Sequence, residues 1–266
     1  MPTKGSTSSR AFESEIALII KNNSDQIRDE LSRTQHVSEY DFKPKPSQII
    51  QDTYYDTKQR FLREKRITLR IRRIDDTLLL STKSDIRRIA GEIIQRREME
   101  RPWSYASIRA LARSLKLYIP IMSSSKFQNL PVSRVLMTMG LEVIQERRTY
   151  REPRWIVIRD KAPVSVLAEL AIDHVAYDFG DISVRLSEIE IEAKAVRSLS
   201  KVREIADALV SKYSPSLQQW FHGKFVTGLA IEKLLKTRAF RSSLVNGDLD
   251  PEAFQLIDHV IQSRRL

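Results

Sequence analysis

The sequence of 266 residues contains no cysteine, only four histidines, and no long hydrophobic run. The absence of cysteine excludes disulfides, thiol nucleophiles and zinc–thiolate sites. The histidines have no close pair resembling a zinc motif. No apolar segment approaches the roughly 20 residues of a membrane-spanning helix. Any hydrolytic chemistry must therefore use carboxylates, lysines, arginines and hard cations, and we expect a cytoplasmic protein without membrane contact.

Positive charge is in surplus, with 45 lysines and arginines against 34 acidic residues and a formal net charge of +11. Such a surplus favours anionic partners such as phosphates, nucleic acid or an acidic membrane surface. A basic surface that binds none of these is an equally open interpretation. The three tryptophans are scattered along the chain, which argues against an RNA-stacking surface. Nucleic acid is therefore the less favoured partner.

Six segments alternate charged residues with apolar ones, which is typical of strands that carry their charges on one face. In the clearest segment, Glu188, Glu190 and Glu192 are interleaved with Ile189 and Ile191. The charged faces point either to solvent or into an enclosed barrel interior, and the pattern alone leaves both orientations open.

The order of the segments predicts an α+β fold, an eight-stranded antiparallel closed β-barrel with helices packed outside. We expect Asp75-Asp76 to form a hairpin turn, and Asp250-Pro251 to begin a helix. A short helix is predicted to follow Ser24. The other predicted helices are 104–117, 131–139, 200–213, 224–235 and 251–264. The predicted strands are 11–20, 49–56, 67–74, 77–83, 92–100, 141–151, 155–159, 164–173 and 182–195.

Eight short fragments then follow one another along the chain. They are Glu13-Ser14-Glu15-Ile16-Ala17, Tyr54-Tyr55-Asp56-Thr57 with Leu69-Arg70-Ile71-Arg72, Ser81-Thr82-Lys83, Arg97-Glu98-Met99-Glu100, Arg147-Arg148, Glu169-Leu170-Ala171-Ile172-Asp173, Ser187-Glu188-Ile189-Glu190-Ile191-Glu192, and Lys224. In this order they resemble the CYTH domain family, the triphosphate tunnel metalloenzymes, which include thiamine triphosphatases, inorganic tripolyphosphatases and class IV adenylate cyclases. The resemblance divides the chain into a disordered tail (1–10), a CYTH-like tunnel domain (11–236) and a C-terminal helical extension (237–266).

The resemblance also implies roles for individual residues. It implies metal ligands that would hold Mg²⁺ or Mn²⁺, namely Glu13, Glu15, Glu188 and Glu190. It implies substrate-binding cations, namely Arg70, Arg72, Lys83, Arg97, Arg147, Arg148 and Lys224, with the inward-pointing member of the pair at 147 and 148 left open. It implies carboxylates that orient or deprotonate water, namely Glu98, Glu169 and Asp173. The expected partner is a small molecule that contains a triphosphate.

One residue departs from the resemblance, because Ala17 stands where the opening motif of the family has a lysine. That lysine would reach the bound phosphates. The leading hypothesis is metal-dependent hydrolysis of a triphosphate, with inorganic tripolyphosphate or a nucleoside or organic triphosphate as substrate. Two alternatives stay open: a polyphosphate- or nucleotide-binding protein without turnover, which Ala17 suggests, and an adenylate cyclase of the class IV kind.

Overall fold

The computed structural model describes residues 11–89, 93–118, 123–159 and 165–263. The predicted tail, 1–10, and the predicted element ends at 92, 164 and 264 lie outside these ranges. The strands are β1 (Ala11–Ile20), β2 (His36–Val37), β3 (Tyr40–Pro44), β4 (Gln48–Thr57), β5 (Thr68–Ile74), β6 (Thr77–Ile89), β7 (Ile93–Pro102), β8 (Leu141–Ile158), β9 (Val166–Phe179), β10 (Ile182–Ala193), β11 (Leu217–Trp220), β12 (Leu244–Val245) and β13 (Asp248–Leu249). The helices are α1 (Ser24–Arg33), α2 (Phe61–Glu64), α3 (Tyr105–Leu115), α4 (Ser124–Asn129), α5 (Val132–Thr138), α6 (Leu199–Tyr213), α7 (Lys224–Leu234), α8 (Arg238–Ser242) and α9 (Pro251–Gln262).

Eight strands form a closed antiparallel barrel in the order β1-β7-β6-β5-β4-β8-β9-β10, and β10 pairs again with β1. This arrangement confirms the predicted fold class. It follows from the period-two pattern of the strands, which gives each strand two chemically different faces. In the described part of the chain, no helix is both long enough and apolar enough to cross a membrane.

Turn and capping residues occupy the positions that the sequence indicated. The hairpin between β5 and β6 turns at Asp75, whose φ of 49° lies in the left-handed region that aspartate tolerates. Helix α9 begins after Asp250, whose side chain accepts a hydrogen bond from the backbone N–H of Ala253 at 2.8 Å. Pro251 occupies the first turn, where its missing N–H costs no helical hydrogen bond.

Strand β8 differs from the prediction, because the two strands predicted at 141–151 and 155–159 are one continuous strand of 18 residues. Pro153 lies between the two predicted strands, and a proline cannot donate a hydrogen bond to a strand ladder. The strand continues because the Pro153 carbonyl accepts a hydrogen bond from Lys45 N at 2.9 Å, and β3 pairs with β8 from Arg154 onward. Strand β9 is also longer than predicted and ends at Phe179.

The chain separates into two compact units, of which the first includes Gln51–Ile86 and Arg96–Glu146. Its apolar core joins β5 and β6 to helices α3, α4 and α5. The buried Asp56 carboxylate organises the local chain, accepting hydrogen bonds from the backbone N–H groups of Thr57, Leu62 and Arg63 at 2.7–3.0 Å. These contacts anchor the short helix α2 to the end of β4.

The second unit contains Glu13–Ile50, Arg87–Gln95 and Arg147–Leu266. One face of β1, β9 and β10 is apolar and packs against α1 and α6. The opposite face carries the acidic residues at one end and apolar residues at the other end. Helices α7 and α9 pack against that apolar end, where Tyr177 and Phe254 are fully or nearly fully buried. Helix α7, which begins at Lys224, therefore starts next to the acidic end of the same face.

Candidate functional site

Three neighbouring strands of the second unit bring carboxylates together on one face. In the register of β10 with β9, Glu188 lies opposite Asp173, and Glu192 lies opposite Glu169. On the other side of β10, Ala17 of β1 lies opposite Glu190. Residues two apart on a strand share a face. The glutamates of β10 and the acids of β9 therefore lie side by side on one face of the sheet. Their burial shows that the solvent-facing alternative is wrong here, since Asp173 is 0% exposed and Glu188 is 1% exposed.

Lys224, the first residue of α7, places its ammonium among these acids. Its Nζ lies 2.9 Å from Glu188 Oε1 and 3.1 Å from Asp173 Oδ2, and it also contacts Glu190 Oε1. The backbone carbonyl of Lys224 accepts a hydrogen bond from the Tyr177 hydroxyl at 2.8 Å. The helix start is therefore fixed to β9 while the side chain reaches across the face.

Arg151 of β8 forms the second cationic centre of the site. Its Nη1 donates to Glu190 Oε2 at 3.0 Å and to Asp173 Oδ2 at 3.1 Å. Its Nη2 lies 3.9 Å from Glu169 Oε1, and Lys45 Nζ donates to Glu169 Oε2 at 2.5 Å. We call these seven residues, Lys45, Arg151, Glu169, Asp173, Glu188, Glu190 and Lys224, the carboxylate–lysine cluster.

The cluster holds four carboxylates and three cations, so its acids exceed its bases by one charge when all are ionised. Burial and the neighbouring Glu190 and Asp173 raise the pKa of the Glu188 carboxyl to about 7, and the Lys224 ammonium opposes that rise. Burial alone would lower the pKa of Lys224, but Glu188, Glu190 and Asp173 raise it above its ordinary value. The same balance raises the pKa of the Arg151 guanidinium. Lys224 and Arg151 therefore stay charged at neutral pH.

Two carboxylate oxygens of the cluster, Asp173 Oδ1 and Glu188 Oε2, are buried and accept no hydrogen bond from the described residues. A buried carboxylate oxygen without a donor is costly, and hard oxygens are the ligands that Mg²⁺ and Mn²⁺ prefer. Among residues 11–89, 93–118, 123–159 and 165–263, no three His, Asp or Glu side chains are arranged to hold a metal ion as they stand. The donor chemistry thus fits a divalent cation, while the arrangement is organised around the Lys224 ammonium.

The predicted metal ligands of β1 lie beyond the cluster, at the end of the acidic half. Glu15 is buried and lies opposite Glu192, and Glu13 is half-buried. Burial raises the pKa of Glu192, with further contributions from Glu13 and Glu169, although Lys194 donates to Glu192 at 2.8 Å. The acidic row therefore continues from the cluster to the end of β10.

The first unit holds its own set of buried and half-buried charges. Arg72 donates through Nε and Nη2 to both oxygens of Asp52, at 2.8 and 2.9 Å. Arg70 Nη2 donates to Ser81 Oγ and to Glu98 Oε1, both at 3.2 Å. Lys83 Nζ lies 3.4 Å from Glu98 Oε2. The structure thus brings four predicted residues, Arg70, Arg72, Lys83 and Glu98, into one ion-pair network.

Other predicted residues lie elsewhere. Of the adjacent arginines on β8, Arg147 is buried, whereas Arg148 is exposed and donates to Asp178 at 3.1 and 3.2 Å. Tyr150, on the same face of β8 as Arg148, is exposed as well, so Arg147 is the buried member of the pair whose orientation the sequence left open. Arg97 is also exposed.

Sequence reasoning missed Arg151, Lys45 and Asp52. Arg151 lies four residues after Arg147 and therefore on the same face of β8. The alternating pattern would have predicted Arg151 as a site residue if the inward-facing side of this strand had been known. Asp52 shares its face with the buried Tyr54, and the same alternation marks it. Lys45 follows a proline in an extended segment, and no periodic pattern identified it.

Comparisons with known proteins bear on the family and the fold of the chain. The sequence profile of the CYTH domain matches residues 14–218. Among solved structures, HpAC1 from Hippeastrum is similar to this chain at 17% identity and a TM-score of 0.51, covering 82% of this chain and 95% of its own. The PH1819 protein from Pyrococcus horikoshii OT3 is 17% identical over 84% of this chain and 99% of its own, with a TM-score of 0.46. No curated protein sequence matches.

Proposed function

The chain belongs to the CYTH domain family, and from that premise we propose that it hydrolyses a triphosphate with the help of a divalent metal ion, Mg²⁺ or Mn²⁺. The observation that carries the proposal is the buried contact of Lys224 and Arg151 with Asp173 and Glu190. Burying ions of both signs is expensive, and charged groups whose pKa values are strongly perturbed concentrate at functional sites.

The cationic side chains of the cluster are suited to binding phosphate oxygens. Arg151 carries a planar fork of donors that matches two phosphate oxygens at once, and Lys224 supplies a mobile point charge. By resemblance we also assign phosphate binding to Arg70, Arg72, Lys83 and Arg147. We retain Arg97 and Arg148 as weaker candidates, because both are exposed.

The carboxylates supply two different functions. Glu188, Glu190 and Asp173, with Glu13 and Glu15 further along β1, would hold the metal ion, which would neutralise charge on the transferring phosphoryl group when bound. Glu169 is tied to Lys45 and Arg151. We assign Glu169 to orienting the attacking water, with Glu98 as a further candidate, and we keep Asp173 as a metal ligand.

Two other functions compete with hydrolysis. HpAC1 carries the name of an adenylyl cyclase, although a dominant triphosphatase activity is described for it. Cyclisation of ATP would release pyrophosphate and cyclic AMP, whereas hydrolysis of ATP would release orthophosphate. Binding without turnover is the third possibility, and it is favoured by Ala17 at the position of the family's lysine.

The test is a product screen with purified protein. Tripolyphosphate, ATP and thiamine triphosphate are each incubated with Mg²⁺ and with Mn²⁺, and orthophosphate, pyrophosphate and cyclic AMP are measured. Orthophosphate release that requires the metal ion supports hydrolysis. Cyclic AMP with pyrophosphate supports a cyclase, and tight binding without any product supports a binding protein.

Matched variants assign the activity to the site. Glu190→Gln is expected to reduce turnover by about a hundredfold or more. Mutation of a residue that only hydrogen-bonds to a metal ligand already lowers activity by up to about a hundredfold, and loss of the ligand itself should lower it at least as much. Glu204→Gln, on the exposed side of α6, is the control and should keep the activity of the wild type. Full activity in Glu190→Gln would contradict the metal assignment.

A further inference from the structure

We propose that the Lys224 ammonium and the divalent metal ion compete for the same carboxylate oxygens, so that metal binding transfers Lys224 to the anionic substrate. This inference rests on the proposed function of the site. As a consequence, the metal ion and a phosphate-like anion strengthen each other's binding. The metal ion displaces Lys224 from the carboxylates and frees it for the anion, and an anion that holds Lys224 frees the carboxylates for the metal ion.

The first support is the set of contacts around one nitrogen. Lys224 Nζ touches one oxygen each of Asp173, Glu188 and Glu190, residues that come from two strands. Three carboxylate oxygens around a single cation form the kind of donor set that a hard divalent ion takes. No group of three acids in the described ranges is arranged for a metal ion as it stands. Lys224 is thus an internal counter-ion at the place where the donors converge.

The second support is electrostatic. A divalent ion beside an ammonium in a buried site would be strongly repelled, since charge interactions grow as the dielectric falls. Arg151 already neutralises part of the charge on Asp173 and Glu190. When Lys224 withdraws, the cluster loses one positive charge and becomes more negative by one unit. The carboxylate oxygens that Lys224 released then join Asp173 Oδ1 and Glu188 Oε2, which already lack donors from the described residues. The departure of Lys224 therefore creates a more complete oxygen donor set.

The third support is the way in which Lys224 is held. Its main chain is fixed, because its carbonyl accepts from Tyr177, and Trp220 Nε1 donates to Thr227 one turn along α7 at 3.1 Å. The buried residues of α7 pack against α9. The movement is therefore confined to the flexible four-carbon side chain, which can turn from the carboxylates to a phosphate without displacement of the helix.

The position of Ala17 makes this transfer a property of this chain. Ala17 lies opposite Glu190, so its methyl group offers that carboxylate no positive charge. In a chain with lysine at that position, a second ammonium could remain on the phosphate while Lys224 stayed on the acids. Here Lys224 serves both the carboxylates and the anion.

The test measures Mn²⁺ binding by electron paramagnetic resonance, without and with sulfate, an anion that binds Mn²⁺ only weakly in solution. For the wild type we expect sulfate to tighten Mn²⁺ binding about fivefold or more. For Lys224→Gln we expect Mn²⁺ binding about tenfold tighter than in the wild type without sulfate, and no further effect of sulfate. Lys194→Gln is the matched control, since Lys194 also pairs with a β10 glutamate, and it should behave as the wild type does.

Each other outcome has a defined meaning. Unchanged or weaker Mn²⁺ binding in Lys224→Gln overturns the competition. If that variant does not fold in EDTA, the sulfate dependence of the wild type decides, and its absence overturns the inference. If the wild type and all variants fail to bind Mn²⁺, the proposed metal-dependent function fails along with the inference. Mn²⁺ binding that ignores both Lys224 and sulfate leaves the function standing and rejects only the exchange.

Discussion

Ala17 and Glu190 face each other across neighbouring antiparallel strands, and the alanine is only 5% exposed. A longer cationic side chain at position 17 would thus begin beside the carboxylate–lysine cluster. Ala17, the residue that differs from the family's opening motif, therefore lies directly beside a carboxylate of the cluster.

Ala17→Lys is expected to tighten tripolyphosphate binding in EDTA about tenfold relative to Ala17→Met, since one added ion pair with phosphate is worth about 1.4 kcal/mol. The methionine variant controls for the added length, because both side chains must be fitted beside Trp220. Isothermal titration calorimetry gives the two affinities. Equal affinities would show that a side chain at position 17 does not reach the bound anion.

Arg151→Met is expected to lower the free energy of unfolding by about 3–5 kcal/mol, because it leaves Asp173 and Glu190 buried with a cation missing. Arg148→Met, three residues earlier on the same strand, removes an exposed pair with Asp178 and should cost less than about 1 kcal/mol. Urea denaturation of both variants measures the difference. Similar losses would mean that the buried pair contributes no more than the surface one.

Asp56→Ala is expected to lower the free energy of unfolding by about 2 kcal/mol or more, because three backbone N–H groups lose their acceptor. Asp56→Asn retains one acceptor oxygen and should lose less. Hydrogen exchange at the amides of Leu62 and Arg63 reports the effect locally. Unchanged exchange at both amides would contradict this role of Asp56.

The raised pKa of Glu188 predicts how stability depends on pH in EDTA. Its carboxyl has a pKa of about 7 in the folded chain against 4.5 ordinarily, so the folded state binds more protons between these values. The free energy of unfolding should therefore fall as the pH rises through this window, by about 3 kcal/mol at most.

Urea denaturation at about pH 5 and about pH 8 measures this loss. Glu188→Gln should show a flatter dependence, because its side chain does not titrate, while Glu204→Gln should follow the wild type. An equal pH dependence in the wild type and in Glu188→Gln would show that Glu188 does not take up a proton in this window.

Much of the fold could be predicted because its causes are local. The period-two alternation in β10 and β9 predicted that Glu188, Glu190, Glu169 and Asp173 share faces, and Asp250 and Pro251 marked the start of α9. The continuous strand β8 was not predictable, because its path through Pro153 depends on pairing with a segment more than one hundred residues earlier. Arg151 lay within the predicted strand 141–151, and it was missed because the inward-facing phase of that strand was left open.

The sequence by itself determined most of the barrel strands, their charged and apolar faces, and the resemblance that identified the family. These features depend on neighbours two to four residues apart, where steric and hydrophobic preferences act directly. Only the tertiary structure decided which charges meet: that Lys224 reaches three carboxylates on β9 and β10, that Arg151 joins them, and that Arg148 does not. Such partnerships depend on strand register and helix docking, which distant parts of the chain set together as they bury their apolar surfaces.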